Sequence, residues 1–160
     1  MQFIDKGNTE EIAEYIEKNF PDGVENTTTQ EILETIGIKC EKDDNGLLII
    51  SHYNAELNKY FSLEDVGINE NKLFKTIKEI KGNADFDNSH VTSLGNLQTI
   101  GGDADFRNSQ VISLGNLETI GGDADFNHSQ ITSLGNLKRI RGYADFEGSK
   151  VTSLGNLQTI

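Results

Sequence analysis

From residue 81 onward, apolar side chains return at the same places in every 20 residues. The four segments are 81–100, 101–120, 121–140 and 141–160, with no insertion or deletion between them. The second reads GGDADFRNSQVISLGNLETI and the third GGDADFNHSQITSLGNLKRI. In the second copy the apolar positions are Ala104, Phe106, Val111, Leu114, Leu117 and Ile120. Ala104 and Phe106 alternate with Asp103, Asp105 and Arg107, which predicts a short strand whose polar set faces away from the core. Beyond Val111 the apolar residues come at every third position, which predicts a loose helical or 3₁₀ return. Gly101 and Gly102 predict a tight corner into the next strand. A fixed short period specifies a solenoid, whose units bury their apolar faces only by stacking on one another.

The first half follows a different pattern. Asn8 or Thr9 ahead of Glu10 and Glu11 marks a helix start, and Ile12, Tyr15, Ile16 and Phe20 fall on one helical face before Pro21 and Gly23 end it. Thr28 and Glu31 have the spacing of a capping box ahead of Ile32, Leu33 and Ile36, with Gly37 as the stop. Segments 38–42 and 47–51 flank Asp43-Asp44-Asn45-Gly46, a hairpin signal in which Asn-Gly accepts the positive φ of a tight turn. Residues 54–80 are mixed and expected to be helical in parts. Phe74, Ile77 and Ile80 repeat the spacing of Leu94, Leu97 and Ile100 one period earlier. The expected organisation is therefore an α+β capping domain over 1–72 and a solenoid over 73–160, the latter being a half-unit at 73–80 plus four repeats.

Charge narrows the partners. The 160-residue chain carries a net −12. Residues 1–80 hold 17 acids and 8 bases, and residues 81–160 hold 9 and 6. Such a surface repels phosphate and favours a basic partner, so direct nucleic-acid binding is not expected. Two helices before a hairpin also suit a winged-helix DNA reader, against which the same charge argues. The lone Cys40 permits no internal disulfide and reads as a small buried hydrophobe. With no secretory signal and no membrane-length apolar run, a cytoplasmic chain with no membrane partner is expected.

The repeat resembles the leucine-rich repeat, and is also similar to its short bacterial form and to the receptor L-domain. Ala104 and Phe106 match the strand leucines, Ser109 the ladder asparagine and Val111 the apolar residue after it. Ser89, Ser109, Ser129 and Ser149 depart from the asparagine. The first leucine position is held by Lys81, Gly101, Gly121 and Arg141. A serine hydroxyl can still bond the backbone of the turn, with shorter reach. The resemblance implies a right-handed solenoid with a parallel sheet, its strands about 4.8 Å apart and equivalent residues aligned in columns on a concave face. It says almost nothing about function.

One implied column is Asp85, Asp105, Asp125 and Asp145. Carboxylates at rung spacing repel by about 1 kcal/mol each even in a water-like dielectric. Either the column is an acidic stripe for a basic partner or cation, or it is a tolerated residue multiplied by duplication, with its oxygens bonded to nearby Asn, Ser or backbone groups. Beside it run Asn83/Asp103/Asp123/Tyr143, Asp87/Arg107/Asn127/Glu147 and Asn88/Asn108/His128/Gly148. Tyr143 is the anchor candidate, since a large amphipathic ring contributes most to interfaces. Arg107 and His128 complete the protein-binding set. Asn96, Asn116, Asn136 and Asn156 suggest an internal amide ladder.

The chain offers no constellation of residues that suits catalysis. The period is not that of calcium-binding nonapeptides, no phosphate loop or dinucleotide fingerprint is present, and His52, His90 and His128 are dispersed. A uniform ladder of carboxylates lacks the contrast that separates an acid from a base. A non-catalytic module without metal or cofactor is expected, binding a basic protein partner through the concave face. The alternative is an acidic inhibitor of phage anti-defence type that occupies the nucleic-acid groove of a bacterial enzyme. The Asn-, Lys- and Ile-rich composition is compatible with an AT-rich bacterial or phage source. Because no polar cap follows Ile160, a homodimer through the uncapped fourth repeat is a further expectation.

Overall fold

The computed structural model describes Lys18 and residues 28–35, 37–54, 56–58, 61–62, 69–87 and 89–160. In it the 20-residue period becomes a parallel β-solenoid with two sheets. The first sheet runs in the order β1 (Cys40–Lys42), β2 (Leu48–Ile50), β6 (Ile77–Ile80), β8 (Thr99–Ile100), β10 (Thr119–Ile120), β12 (Arg139–Ile140). The second runs β13 (Ala144–Asp145), β11 (Ala124–Asp125), β9 (Ala104–Asp105), β7 (Ala84–Asp85), β3 (Tyr53–Asn54). Strands β4 (Glu56–Asn58) and β5 (Phe61–Ser62) form a separate antiparallel pair. Between repeats, pairing joins residues one period apart, as in Thr99 with Thr119 and Ala104 with Ala124.

The return is extended, where every-third spacing suggests a helix. In Ser-Leu-Gly-Asn-Leu, Leu97 N–H donates to the Leu94 carbonyl at 3.0 Å, closing a β-turn. Gly95 occupies its first central position at φ +54°, a value that no right-handed helix contains. The chain then leaves extended, and its donors go to the neighbouring rung: Gln98 N–H meets the Lys78 carbonyl at 2.8 Å, and Glu118 N–H meets that of Gln98 at 2.9 Å. The asparagine of the motif makes no internal ladder. All four copies are exposed, and Asn96 and Asn136 donate their side-chain amides to the backbone carbonyls of Lys75 and Gly115.

The inward columns form one core. Phe86, Phe106 and Phe126 are fully buried and stack at centroid separations of 5.0 and 5.2 Å, and Phe146 continues the column at 5.1 Å. Tyr53 meets Phe74 edge-on at 4.8 Å at the other end of the stack. At the corners close approach demands glycine, since a Cβ on Gly121 would collide with the Gly101 carbonyl oxygen. In the fourth repeat the same columns are open: Ala144, Phe146, Val151 and Leu157 are half-buried and Leu154 is exposed.

Toward the amino-terminal side, the half-unit is present, with Phe74, Ile77 and Ile80 fully buried. The capping box forms around the helix Thr29–Thr35: Glu31 N–H donates to Thr28 Oγ1 at 3.2 Å and Thr28 N–H to Glu31 Oε2 at 3.3 Å. The hairpin joins β1 to β2, but its turn differs from a two-residue Asn-Gly turn. Gly46 N–H bonds to the Asp43 carbonyl, and of the turn residues Gly46 alone has positive φ, +80°. Asp43 Oδ1 selects this longer form by accepting the amides of Asn45 and Leu47, both at 2.9 Å. The helix expected from Asn8 to Phe20 lies outside the described residues apart from Lys18, which is helical. Among the described residues no helix is long and apolar enough to cross a membrane.

Candidate functional site

Strand pairing sets the four aspartates in register, Asp85 with Asp105, Asp105 with Asp125 and Asp125 with Asp145. Asn54 extends the column beyond Asp85. Each aspartate first serves its own turn. The Oδ1 atoms of Asp85, Asp105, Asp125 and Asp145 accept the backbone N–H two residues on, at 2.9, 2.9, 3.0 and 3.0 Å. These are Asx turns, which satisfy a donor as the chain leaves the strand. The identity of this residue in all four copies thus has a local cause.

The second carboxylate oxygens carry the electrostatics. Arg107 Nη2 lies 2.7 Å from Asp105 Oδ2 and Nε is 3.1 Å from each of its oxygens, while Nε stands 3.5 Å from Asp125 Oδ2 on the next rung. Burial pushes the Asp105 carboxyl up, but the hydrogen bonds and charge of Arg107 together outweigh it and hold it below the usual carboxylate range. Asn127 Nδ2 donates to Asp145 Oδ2 at 3.2 Å.

A second acidic column follows the corner. Asp103 N–H donates to Asn83 Oδ1, Asp123 N–H to Asp103 Oδ1 and Tyr143 N–H to Asp123 Oδ1, each at 2.8 Å. These side chains therefore stitch one rung to the next. The third varied column is a conformational one: Asn108, His128 and Gly148 have φ of 53°, 55° and 64°. Asn and Gly are the usual occupants of this left-handed region, so the alternation among copies reflects backbone rather than recognition. Asn88 lies outside the described residues.

Five of the expected carboxylates, Asp85, Asp103, Asp105, Asp123 and Asp125, come together along an open groove of about 580 Å³. His52, Tyr53 and Asn54 form its end. Nothing in the repeat pattern places these three there, because β3 precedes β7 by 31 residues rather than by one period. Tyr143 is 84% exposed and, with Asp145, Arg107 and His128, stands outside the lining.

Beyond the groove, Glu70 begins the short helix Glu70–Leu73 and is fully buried. Its Oε2 accepts the Ser89 hydroxyl at 2.6 Å and the His90 N–H at 2.7 Å, so it closes the first full rung where an earlier repeat would stand. Ser89 and Ser149 Oγ accept the amides of Val91 and Val151, as a short stand-in for asparagine should. Burial, with help from the charge of Glu34, pushes the Cys40 thiol up to about 11, which keeps it protonated and unreactive. Ser51 Oγ lies 2.9 Å from His52 Nδ1, but it also accepts the Lys39 amide and is held as a structural acceptor. Among the described residues no group of three or more His, Cys, Asp or Glu is arranged to hold a metal ion. No family model, no curated protein and no solved structure matches the chain, so the site is defined by its own geometry alone.

Proposed function

We propose that the chain is a non-catalytic protein-binding module whose acidic groove receives a basic surface of its partner. The observation that carries this reading is the gathering of five carboxylates along one groove, with Arg107 as the cation set against them. Each added charge raises the local negative potential, which steers a cationic surface and makes its binding sensitive to salt. The solenoid is on this reading a leucine-rich-repeat variant, in which Ala-x-Phe-x-x-Ser-x-Val keeps the strand and turn and the return carries a second sheet. Its setting is cytoplasmic. A net charge of −12 favours one special case, an inhibitor that fills the nucleic-acid groove of a basic enzyme.

The test is capture of partners from a bacterial lysate by wild type and by a variant with Asp85, Asp105, Asp125 and Asp145 changed to Asn. Asparagine keeps the Oδ1 acceptor that each Asx turn needs, while the charge is removed together with the Oδ2 acceptors that face Arg107 and Asn127. A basic protein held by wild type alone, and released by moderate salt, supports the reading. A nucleic-acid enzyme in that position supports the inhibitor form. Equal capture by both proteins overturns the groove as the binding surface.

A further inference from the structure

The third repeat breaks the pattern at one place, and every break there is a base. Where the first two repeats end Gln98-Thr99-Ile100 and Glu118-Thr119-Ile120, each followed by glycine, the third ends Lys138-Arg139-Ile140 and is followed by Arg141. Strand β12 buries Ile140 and turns Arg139 outward, between Thr119 and Thr159 on the neighbouring rungs. Lys138 reaches Glu118 at 3.6 Å. Arg139 and Arg141 are exposed, and among the described residues neither side chain has a hydrogen bond or an ion pair.

Arg141 stands at a corner that glycine holds in the second and third repeats and Lys81 holds in the first. Gly101 and Gly121 each sit against the carbonyl of the preceding rung, with no space for a Cβ. The backbone N–H at this corner donates to an isoleucine carbonyl at 2.7 Å for Gly101 and Gly121 but at 3.0 Å for Arg141. Among the described residues Arg141 makes no side-chain contact that offsets the lost fit, and a local rule broken without an offset marks a functional or strained position.

We propose that Lys138, Arg139 and Arg141 form a docking patch for the acidic groove of a second copy of this chain. The inference rests on the groove being a binding surface. Arg107 displays the required contact within one molecule, its guanidinium joined to Asp105 and reaching Asp125 on the next rung. Patch and groove lie on different sheets, so the contact is heterologous and leaves a free patch and a free groove on the outer members. Screening over about 8 Å at physiological salt leaves the local pairing dominant over the net repulsion of two acidic chains. A polyanion such as nucleic acid would instead press its charge along the whole acidic surface.

Sedimentation of the full chain over a range of concentrations, at physiological and at high salt, tests this. Arg139→Thr with Arg141→Gly installs residues that the second repeat already carries at these positions, so folding is preserved. Wild type is expected to form larger species that salt disperses, and the double variant to associate at least about tenfold more weakly. A groove variant, Asp85, Asp105 and Asp125 to Asn, is expected to fail alone in the same way. Mixing the two variants should restore a one-to-one pair that grows no further, since each offers one half of the contact. A wild type that stays monomeric at physiological salt, or a mixture that forms no pair, overturns the proposal. So does association that ignores salt and is lost on Leu154→Asp, which would place the contact at the open fourth repeat. Oligonucleotide binding lost with Arg139 and Arg141 would assign the patch to a polyanion and also overturn it. Capture of a basic partner by the double variant remains as in wild type even then, so the groove reading is judged separately.

Discussion

Arg107 and Asp105 form a forked ion pair across one turn, with Nη2 2.7 Å from Oδ2 and Nε 3.1 Å from both oxygens. The Asp105 carboxyl is thereby held below its ordinary value of 3.8. A depressed folded pKa contributes stability that is complete above the ordinary value and is lost as pH falls through the folded one. Arg107→Gln should therefore lower stability slightly near neutrality, as expected of a pair whose arginine is exposed to solvent. The gap between wild type and variant should close as pH drops below about 4. Urea midpoints measured from neutral to strongly acidic pH decide the matter, and a gap that persists at the acid end would separate the pair from the shift.

Glu70 is expected to hold the first rung closed. Glu70→Ala would leave the buried Ser89 hydroxyl and the His90 amide without their acceptor, at about 1–3 kcal/mol for a stranded buried group. Glu70→Gln retains a carbonyl oxygen and should lose less. Equilibrium unfolding of both variants gives the comparison, and equal losses would show that the charge, not the acceptor, matters.

The phenylalanine stack should respond by position. Phe106→Ala removes a fully buried ring between two others and is expected to cost about 3–5 kcal/mol. Phe146→Ala should cost clearly less, because its ring is half-buried and has a stacking partner at Phe126. Denaturant midpoints for the two variants test the order, and a reversed order would mean that the fourth repeat is more firmly packed than its exposure indicates.

His128 occupies a left-handed backbone that suits asparagine better, as its counterpart Asn108 illustrates. His128→Asn should raise stability by up to about 1 kcal/mol through relief of that strain. Thermal melting checks the sign, and partner capture by the same variant should be unchanged because the imidazole stands outside the groove.

Much of this was legible in the chain. The period, the inward positions Ala104, Phe106, Val111, Leu114, Leu117 and Ile120, and the capping box at Thr28 and Glu31 all appear as read. The sheet on the return side was hidden, because a strand as short as Thr99–Ile100 contains no alternation to detect. Leu114, Leu117 and Ile120 share their spacing with a helical face, and only the positive φ of the glycine between Leu114 and Asn116 excludes that form. Glu70 was hidden for another reason: a carboxylate is expected outside, and burial becomes favourable only once Ser89 and His90 supply donors from a rung that lies 19 and 20 residues away. At the groove, the aspartates were visible as a column, whereas the Asx turns that fix them depend on backbone direction at each strand end.

Those Asx turns also govern how such a chain could grow. The residue that lets each rung leave its strand is itself a charge, so every added rung lengthens the column of carboxylates by one. Each new rung sets aspartate over aspartate, at a repulsion of about 1 kcal/mol in a water-like dielectric. Stacking of rungs is thus opposed, one carboxylate at a time, by the same side chain that shapes each bend.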